Sequence, residues 1–137
     1  MGARSRKLFL ALILTQGVHS IEEYLFGLYE VLLPARVISG YISSNLAVGF
    51  AIANTALIAF AFWCYFARVR RAAPSARSWA WFWTILEAAN GTAHLLYAMA
   101  RGGYFPGAAT APFLLGLAWW LGTTLAKTHE GERGPRL

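Results

Sequence analysis

The stretch HSIEEYLFG, residues 19–27, places one histidine and two glutamates inside a long apolar run. The run extends from about Leu8 to Leu33, and it exceeds the roughly 20 apolar residues that cross a bilayer core. Charged side chains at that depth cost at least about 2.5–3.5 kcal/mol each on insertion scales, and they are usually functional. The stretch therefore predicts a membrane span that carries a site.

Three further apolar runs complete the predicted architecture, an all-α four-helix transmembrane bundle. They cover about residues 45–67, 78–100 and 107–126, and a polar cytoplasmic tail is predicted at 127–137. The chain of 137 residues is 58% hydrophobic and 13% charged, which is more apolar than a typical soluble domain. We expect one transmembrane domain, 1–126, in which Pro34 ends the first helix because proline lacks a backbone donor.

The basic residues predict the orientation of the bundle. Ten of the twelve lysines and arginines lie at the N-terminus, between the second and third runs, or after the fourth run. With four spans these regions share one side, and basic loops tend to stay in the cytoplasm. We therefore expect a multi-pass protein of the cell (plasma) membrane with both termini cytoplasmic. Because the net charge of +6 flanks apolar runs, it indicates topology and no nucleic-acid partner.

A second interpretation of the N-terminus stays open. MGARSRK, LFLALILTQG and VHS follow the order of a signal peptide, with a basic start, a short apolar core and small residues before a cut after Ser20. Cleavage there would remove His19 and leave three spans. Against this interpretation, the helical apolar pattern continues through YLFGLYEVLL without a break.

Two polar stripes fall on the first and third predicted spans, since residues three and four positions apart share a helix face. The first stripe is His19, Glu22 and Glu23, and the second is Glu87, Asn90 and His94. At about 1.5 Å of rise per residue, Glu22 and His94 lie roughly 21 and 24 Å from the inner ends of their spans. The two stripes therefore reach the same level in the outer half of the membrane, and we expect them to face each other.

The outer connection RGGYFPGAAT, residues 101–110, is expected to join the site at that level. Pro106 and Gly107 predict a turn between the third and fourth spans. Tyr104 is expected at the mouth and Thr110 in the first turn of the fourth span, where both can hydrogen-bond inward. The sequence thus predicts an outer-half pocket between the first, third and fourth spans, open outward or sideways to lipid.

Two chemistries fit these residues. The candidate catalytic residues and metal ligands are His19, Glu22, Glu23 and His94. Helical bundles build zinc and iron sites from Glu and His on facing helices. The metal then activates water for hydrolysis or, if it is iron, reacts with oxygen. Without a metal, adjacent carboxylates in a low dielectric do not both ionise, so a protonated glutamate beside a histidine would act as acid or base. The candidate substrate-binding residues are Glu87, Asn90, Tyr104 and Thr110.

Three short motifs resemble those of a known family. HSIEE fits HxxEE, NGTAH fits NxxxH and YFPG fits YxPG, in this order along four predicted spans. Over most of its length the chain resembles the HXXEE family of small bacterial and archaeal membrane proteins, whose function is not established. The resemblance carries over His19, Glu22, Glu23, Asn90, His94, Tyr104, Pro106 and Gly107. Glu87 and Thr110 rest on the spacing argument alone.

The expected function is that of an intramembrane enzyme acting on a lipid-like or apolar small molecule. The reaction would be a metal-assisted hydrolysis or oxidation, or an acid–base isomerisation. The alternative is a non-catalytic membrane protein whose buried network of His, Glu and Asn serves ligand binding, proton relay or helix packing. Membrane lipid is the expected surrounding partner, and a homo-oligomer fits either function.

Overall fold

A computed structural model describes the backbone of residues 1–132 and the side chains of residues 1–127. Over this part of the chain the structure is all-helical and contains no strand. The helices are α1 (Ala3–Leu25), α2 (Leu28–Val31), α3 (Leu33–Ile42), α4 (Leu46–Trp63, continued by a π-helix at Cys64–Val69), α5 (Ala76–Arg101) and α6 (Ala111–Glu132). The predicted all-α class is therefore confirmed for the described residues.

The first apolar run differs from the single helix expected over residues 8–33. Helix α1 passes through Ser20 without a break but ends at Leu25, and Gly27 follows with a left-handed φ of 70°, which glycine adopts without steric cost. Pro34 does not end a helix. It lies in the first turn of α3, where the missing N–H would have no helical partner in any case. The chain thus turns twice immediately after the HSIEE stretch.

Helix α3 packs on the beginning of α4 through a contact between the two backbones. A Cβ atom at Gly49 would lie 2.1 Å from the carbonyl oxygen of Ser39, so this approach requires glycine. The Asn45 side chain accepts a hydrogen bond from the N–H of Val48 at 3.2 Å and caps α4. These two features fix α3 against α4.

Helix α6 is the main packing partner of both α1 and α5. At Gly91 of α5, a Cβ atom would lie 2.9 Å from Leu115 Cγ and 3.0 Å from the carbonyl oxygen of Ala111, so α5 and α6 pack closely. The largest buried apolar side chains of the main core include Phe9, Leu12, Ile13, Trp83, Leu114 and Leu121. Because α1 and α5 pack against one helix, they lie side by side with room for side chains between them.

Helix α4 meets α5 mainly near its C-terminal, π-helical end. The rings of Phe60 and Trp63 lie 5.5 and 6.1 Å from the ring of Trp79, measured between centroids. Along the rest of α4, close approaches to α5 are few within the described residues. Beyond this aromatic cluster, side chains of both helices, among them Leu57 and Leu86, line a common cavity.

The basic ends of the long helices lie together. The Arg4 guanidinium lies 5.4 Å from the ring centroid of Trp120, and Arg77 Nη2 donates to the carbonyl oxygen of Leu125 at 2.7 Å. The first residues of α1 and α5 thus adjoin the last turns of α6. Helix α6 begins at Ala111 and continues to Glu132, through residues assigned to the polar tail; positions 133–137 lie outside the described residues.

One helix in the described part of the chain, Leu46–Val69, is long and apolar enough by itself to cross a membrane. Only 17% of its most apolar 18-residue window is buried. The core helix of a soluble protein would instead be mostly buried. Helices α1 and α5 instead carry buried polar residues, among them His19, Glu23 and His94.

Candidate metal centre

Two histidines and one glutamate meet between α1 and α5. His19 and Glu23 are one helical turn apart on α1, and His94 reaches them from α5. Glu23 Oε1 lies 3.3 Å from His19 Nε2 and 3.0 Å from His94 Nε2. The three side chains are buried, and one ligand atom from each lies within 4.8 Å of the other two. Among the described residues this is the group of side chains that could hold a metal ion.

The other nitrogen of each imidazole is already engaged as a donor. His94 Nδ1 lies 2.6 Å from the carbonyl oxygen of Pro106, which can only accept, so this Nδ1 carries a proton. His19 Nδ1 lies 2.6 Å from Thr110 Oγ1, whose own proton goes to Glu22 Oε2 at 2.6 Å. His19 Nδ1 must therefore donate as well. In the neutral form of each ring, Nε2 then has a lone pair and no proton.

The result is a convergence of acceptors. The two Nε2 lone pairs and the Glu23 carboxylate come together, and His19 Nε2 is buried without a hydrogen-bond partner. In a tetrahedral site with metal–ligand bonds of about 2.0–2.1 Å, neighbouring ligand atoms lie roughly 3.3 Å apart. The distances of 3.3 and 3.0 Å to Glu23 are close to that value. Metal-bound histidines also usually donate their second N–H to a carbonyl or carboxylate, as these two nitrogens do to a carbonyl and a hydroxyl.

Glu22 does not join the three converging side chains. It binds the outer connection, residues 101–110, instead. Its carboxylate accepts from the N–H groups of Ala109 and Thr110 at 3.0 and 2.9 Å, from the Thr110 hydroxyl, and from the Tyr104 hydroxyl. Four donors around one carboxylate suit its ionised form. These amides immediately precede α6, so a side chain from α1 binds the amino end of α6 much as an N-cap does.

Tyr104 serves as a donor in this arrangement. Partial burial, then the hydrogen bond to Glu22 and the negative charge of that carboxylate, raise the pKa of Tyr104 to about 12. The phenol therefore keeps its proton at physiological pH. Tyr104 is half exposed, but its hydroxyl group is directed to Glu22.

Gly107 brings the outer connection against both histidines. Its φ is 88°, in the left-handed region, and a Cβ atom there would lie 2.6 Å from His94 Nδ1 and 2.7 Å from His19 Cε1. The YFPG motif therefore supplies a carbonyl acceptor from Pro106 and a close backbone approach from Gly107. The three sequence motifs meet at one place.

Comparison with known proteins assigns the chain to a family. Residues 8–121 match the model of a family described as protein of unknown function with HXXEE motif. The chain belongs to the HXXEE family. No curated protein and no solved structure matches it. The matched region includes all three motifs, and the motif in the family's description supplies His19 and Glu23 of the converging side chains.

A cavity of about 460 Å³ adjoins the three converging side chains in this HXXEE chain. It lies between α1, α3, α4 and α5. Glu23 is the residue that the cavity shares with the three converging side chains. The cavity's other polar lining residues are Gln16, Ser39, Asn54, Glu87 and Asn90. The site residues predicted on the first and third spans and at the start of the fourth lie together, and the cavity beside them is lined by α3 and α4 as well as by α1 and α5.

The predicted site residues divide into three groups. His19, Glu23 and His94 converge, whereas Glu22, Tyr104 and Thr110 form the support of the outer connection. Glu87 and Asn90 line the cavity. The adjacent glutamates were expected to act as a pair, but the structure places them with different partners, because consecutive residues on a helix point about 100° apart.

Gln16 is a site residue that the sequence interpretation missed. Its side chain is 2% exposed, accepts from Asn90 Nδ2 at 3.4 Å and donates to Ser20 Oγ at 3.2 Å. Ser20 Oγ donates in turn to Asn54 Oδ1 at 2.8 Å. The signal was present: Gln16, Ser20 and Glu23 follow helical spacing on one face of an apolar run.

Proposed function

We propose that this HXXEE protein is an intramembrane enzyme with a divalent-metal centre formed by His19, Glu23 and His94, acting on a lipid-like substrate. The observation that carries the proposal is the position of the protons on the two imidazole rings. Both Nδ1 protons are committed, so both Nε2 lone pairs and a carboxylate converge without a donor among them. One proton can bridge two such acceptors, whereas a cation satisfies three. A cation would also neutralise buried carboxylate charge in an apolar interior.

The ligand set supports a catalytic role rather than a purely structural one. Two histidines and one carboxylate leave a fourth position for water or substrate, as in catalytic zinc sites, and the same set suits non-haem iron. Bound there, zinc would activate water for hydrolysis and iron would support oxidation. Since Glu23 also lines the cavity, a substrate held in the cavity would reach the metal past this residue.

A four-span membrane placement fits the surface of the chain. Large apolar side chains are exposed along all four long helices, including Leu25 at 70%, Ile52 at 51%, Met99 at 76% and Trp119 at 76%. Soluble monomers rarely expose apolar patches on this scale. Helices α1, α4 with its π-helix, α5 and α6 have 22 to 26 residues, or roughly 33–39 Å, enough to cross a bilayer core. The shared basic end would face the cytoplasm.

A metal-free proton site is the second candidate, and one distance favours it. The 3.0 Å separation of His94 Nε2 and Glu23 Oε1 also suits a charge-assisted hydrogen bond from an imidazolium. In that state both histidines would carry a second proton and share the Glu23 carboxylate. The chain would then store or relay protons.

Metal analysis of the purified full-length protein tests the proposal. The protein is extracted from membranes in detergent without chelators, and zinc and iron are measured by mass spectrometry. We expect about one equivalent of one metal, lost in Glu23→Gln and retained in Glu30→Gln. Glu30 is an exposed residue, so Glu30→Gln is a matched control for the chemical change. Absence of metal in the wild-type protein, and failure to take up added Zn²⁺ or Fe²⁺, would overturn the metal centre.

Nitrogen NMR of ¹⁵N-histidine-labelled protein separates the two candidates. In the metal centre both rings keep a protonated Nδ1 and show a metal-shifted Nε2. In the proton site both nitrogens of both rings show imidazolium shifts that disappear together as the pH rises. The second pattern, in protein that binds no metal, would favour proton relay.

A further inference from the structure

Glu87 is a buried carboxyl group that the metal centre does not use. It is 1% exposed, and its hydrogen bond is to Asn90 Nδ2 at 3.5 Å, the limit of such a bond. Neither of the ion pairs found among residues 1–127 involves Glu87. A buried polar group with so weak a partner is destabilising unless something else supplies a hydrogen bond.

The neighbouring polar groups give Glu87 only this one weak hydrogen bond among the described residues. The Asn90 amide group carries two protons, one directed to Glu87 and the other to Gln16 Oε1 at 3.4 Å. Gln16 donates to Ser20, and Ser20 donates to Asn54, so the hydrogen bonds continue from Gln16 towards α4. Glu87, which lines the cavity, therefore keeps acceptor positions for a further donor.

The rest of the cavity wall is mainly apolar. Ile38 from α3, Phe50 and Leu57 from α4, and Leu86 from α5 contribute its larger side chains. The volume of about 460 Å³ falls within the roughly 300–1,000 Å³ of small-molecule sites.

We infer that this cavity binds an apolar molecule carrying one hydrogen-bond donor, a hydroxyl or an amino group, with the donor on Glu87 and the apolar part against α3 and α4. An acceptor beside a mainly apolar wall selects such a ligand, since a molecule without the donor leaves Glu87 with only its weak hydrogen bond to Asn90. This assignment deepens the proposed function by naming the substrate class. The inference rests on the proposed metal centre only for the reaction of the bound ligand, because binding itself requires Glu87 and the apolar wall.

Photolabelling tests the inference on the full-length protein in detergent. The probe is a long-chain alcohol with a diazirine in its chain, and the labelled residues are mapped by peptide mass spectrometry. We expect labels on the cavity walls of α3, α4 and α5. Hexadecanol should compete at least about tenfold better than hexadecyl methyl ether, which has the same apolar chain but no donor. Hexadecylamine in a parallel series distinguishes an amine ligand from an alcohol.

Two variants assign the preference to Glu87. Glu87→Leu should lose the advantage of alcohol over ether, and the exposed control Glu30→Leu should keep it. Equal competition by the alcohol and the ether in the wild-type protein, or labels confined to the outer helix surfaces, would overturn the inference. If Glu87→Leu does not fold, the comparison in the wild-type protein still decides the question.

Metal content measured on the same preparations separates this inference from the proposed metal centre. Alcohol-selective labelling in protein that binds no metal would sustain the ligand site and reject the metal centre. Metal-loaded protein without selectivity for the alcohol would do the reverse.

Discussion

Replacing Thr110 by valine tests the link between the outer connection and the metal centre. Valine keeps the shape of threonine and removes the hydroxyl, which accepts from His19 Nδ1 and donates to Glu22. His19 would lose the partner that fixes its tautomer and ring orientation. Glu22 would keep three of its four donors, so the turn before α6 should remain in place.

The size of the effect follows from burial. Partners of metal-bound histidines typically contribute 10- to 100-fold to metal affinity, about 1.4–2.8 kcal/mol. His19 is 0% exposed, so water cannot readily take the place of the hydroxyl. An unpaired buried donor costs about 1–3 kcal/mol, which covers the same range. We therefore expect Thr110→Val to weaken Zn²⁺ binding by about 10- to 100-fold.

The assay is competition for Zn²⁺ against a chelator of known affinity, together with thermal unfolding of each variant. Thr110→Ser restores the hydroxyl and should bind Zn²⁺ within about threefold of wild type, a difference under 1 kcal/mol. Thr92→Val is the matched control, because the Thr92 hydroxyl is exposed and bonds only to the carbonyl oxygen of Ala88 in its own helix. Wild-type affinity in folded Thr110→Val would refute the claim that the hydroxyl orients His19.

Three further substitutions test separate parts of the site. Gly107→Ala should reduce metal affinity at least about tenfold, since its Cβ would meet both histidines, whereas Gly103→Ala has open space and should bind metal normally. Gly49→Ala should lower the melting temperature and cavity labelling by forcing α3 from α4; unchanged values would contradict the backbone contact. The pKa of Tyr104 is raised to about 12, above its ordinary value near 10, so its stabilising effect is complete below pH 10 and is lost as the pH rises through 12. Melting temperature should therefore fall more steeply over that interval in wild type than in Tyr104→Phe.

The meeting of α1 and α5 could be predicted from the sequence with elementary geometry. Helical spacing groups His19 with Glu23, and the rise per residue places His94 at the same depth as these residues. The prediction depended on aligning the long apolar helices by their basic ends. The structure brings these three side chains together at 3.0 and 3.3 Å.

The separation of Glu22 from Glu23 could not be predicted in the same way. Both glutamates lie on the general face of His19, and the rotation of α1 about its axis decides which one faces α5. That rotation depends on packing against α6, through contacts distant in sequence. The position of the cavity depends similarly on the break at Gly27, because a single helix over residues 8–33 would not predict that α3 lines the cavity with α1.

The spacing of the HxxEE motif has a physical explanation in these contacts. Glu23 lies one turn after His19 and completes the converging acceptors. Glu22 accepts a hydrogen bond from the Thr110 hydroxyl, which itself accepts a hydrogen bond from His19 Nδ1. Glu22 also fixes the turn beside Pro106, whose carbonyl orients His94. One glutamate therefore supplies a candidate ligand and its neighbour orients both histidines. A shift of either carboxylate by one residue would rotate it about 100° around α1, so the two tasks require two adjacent glutamates at this distance from the histidine.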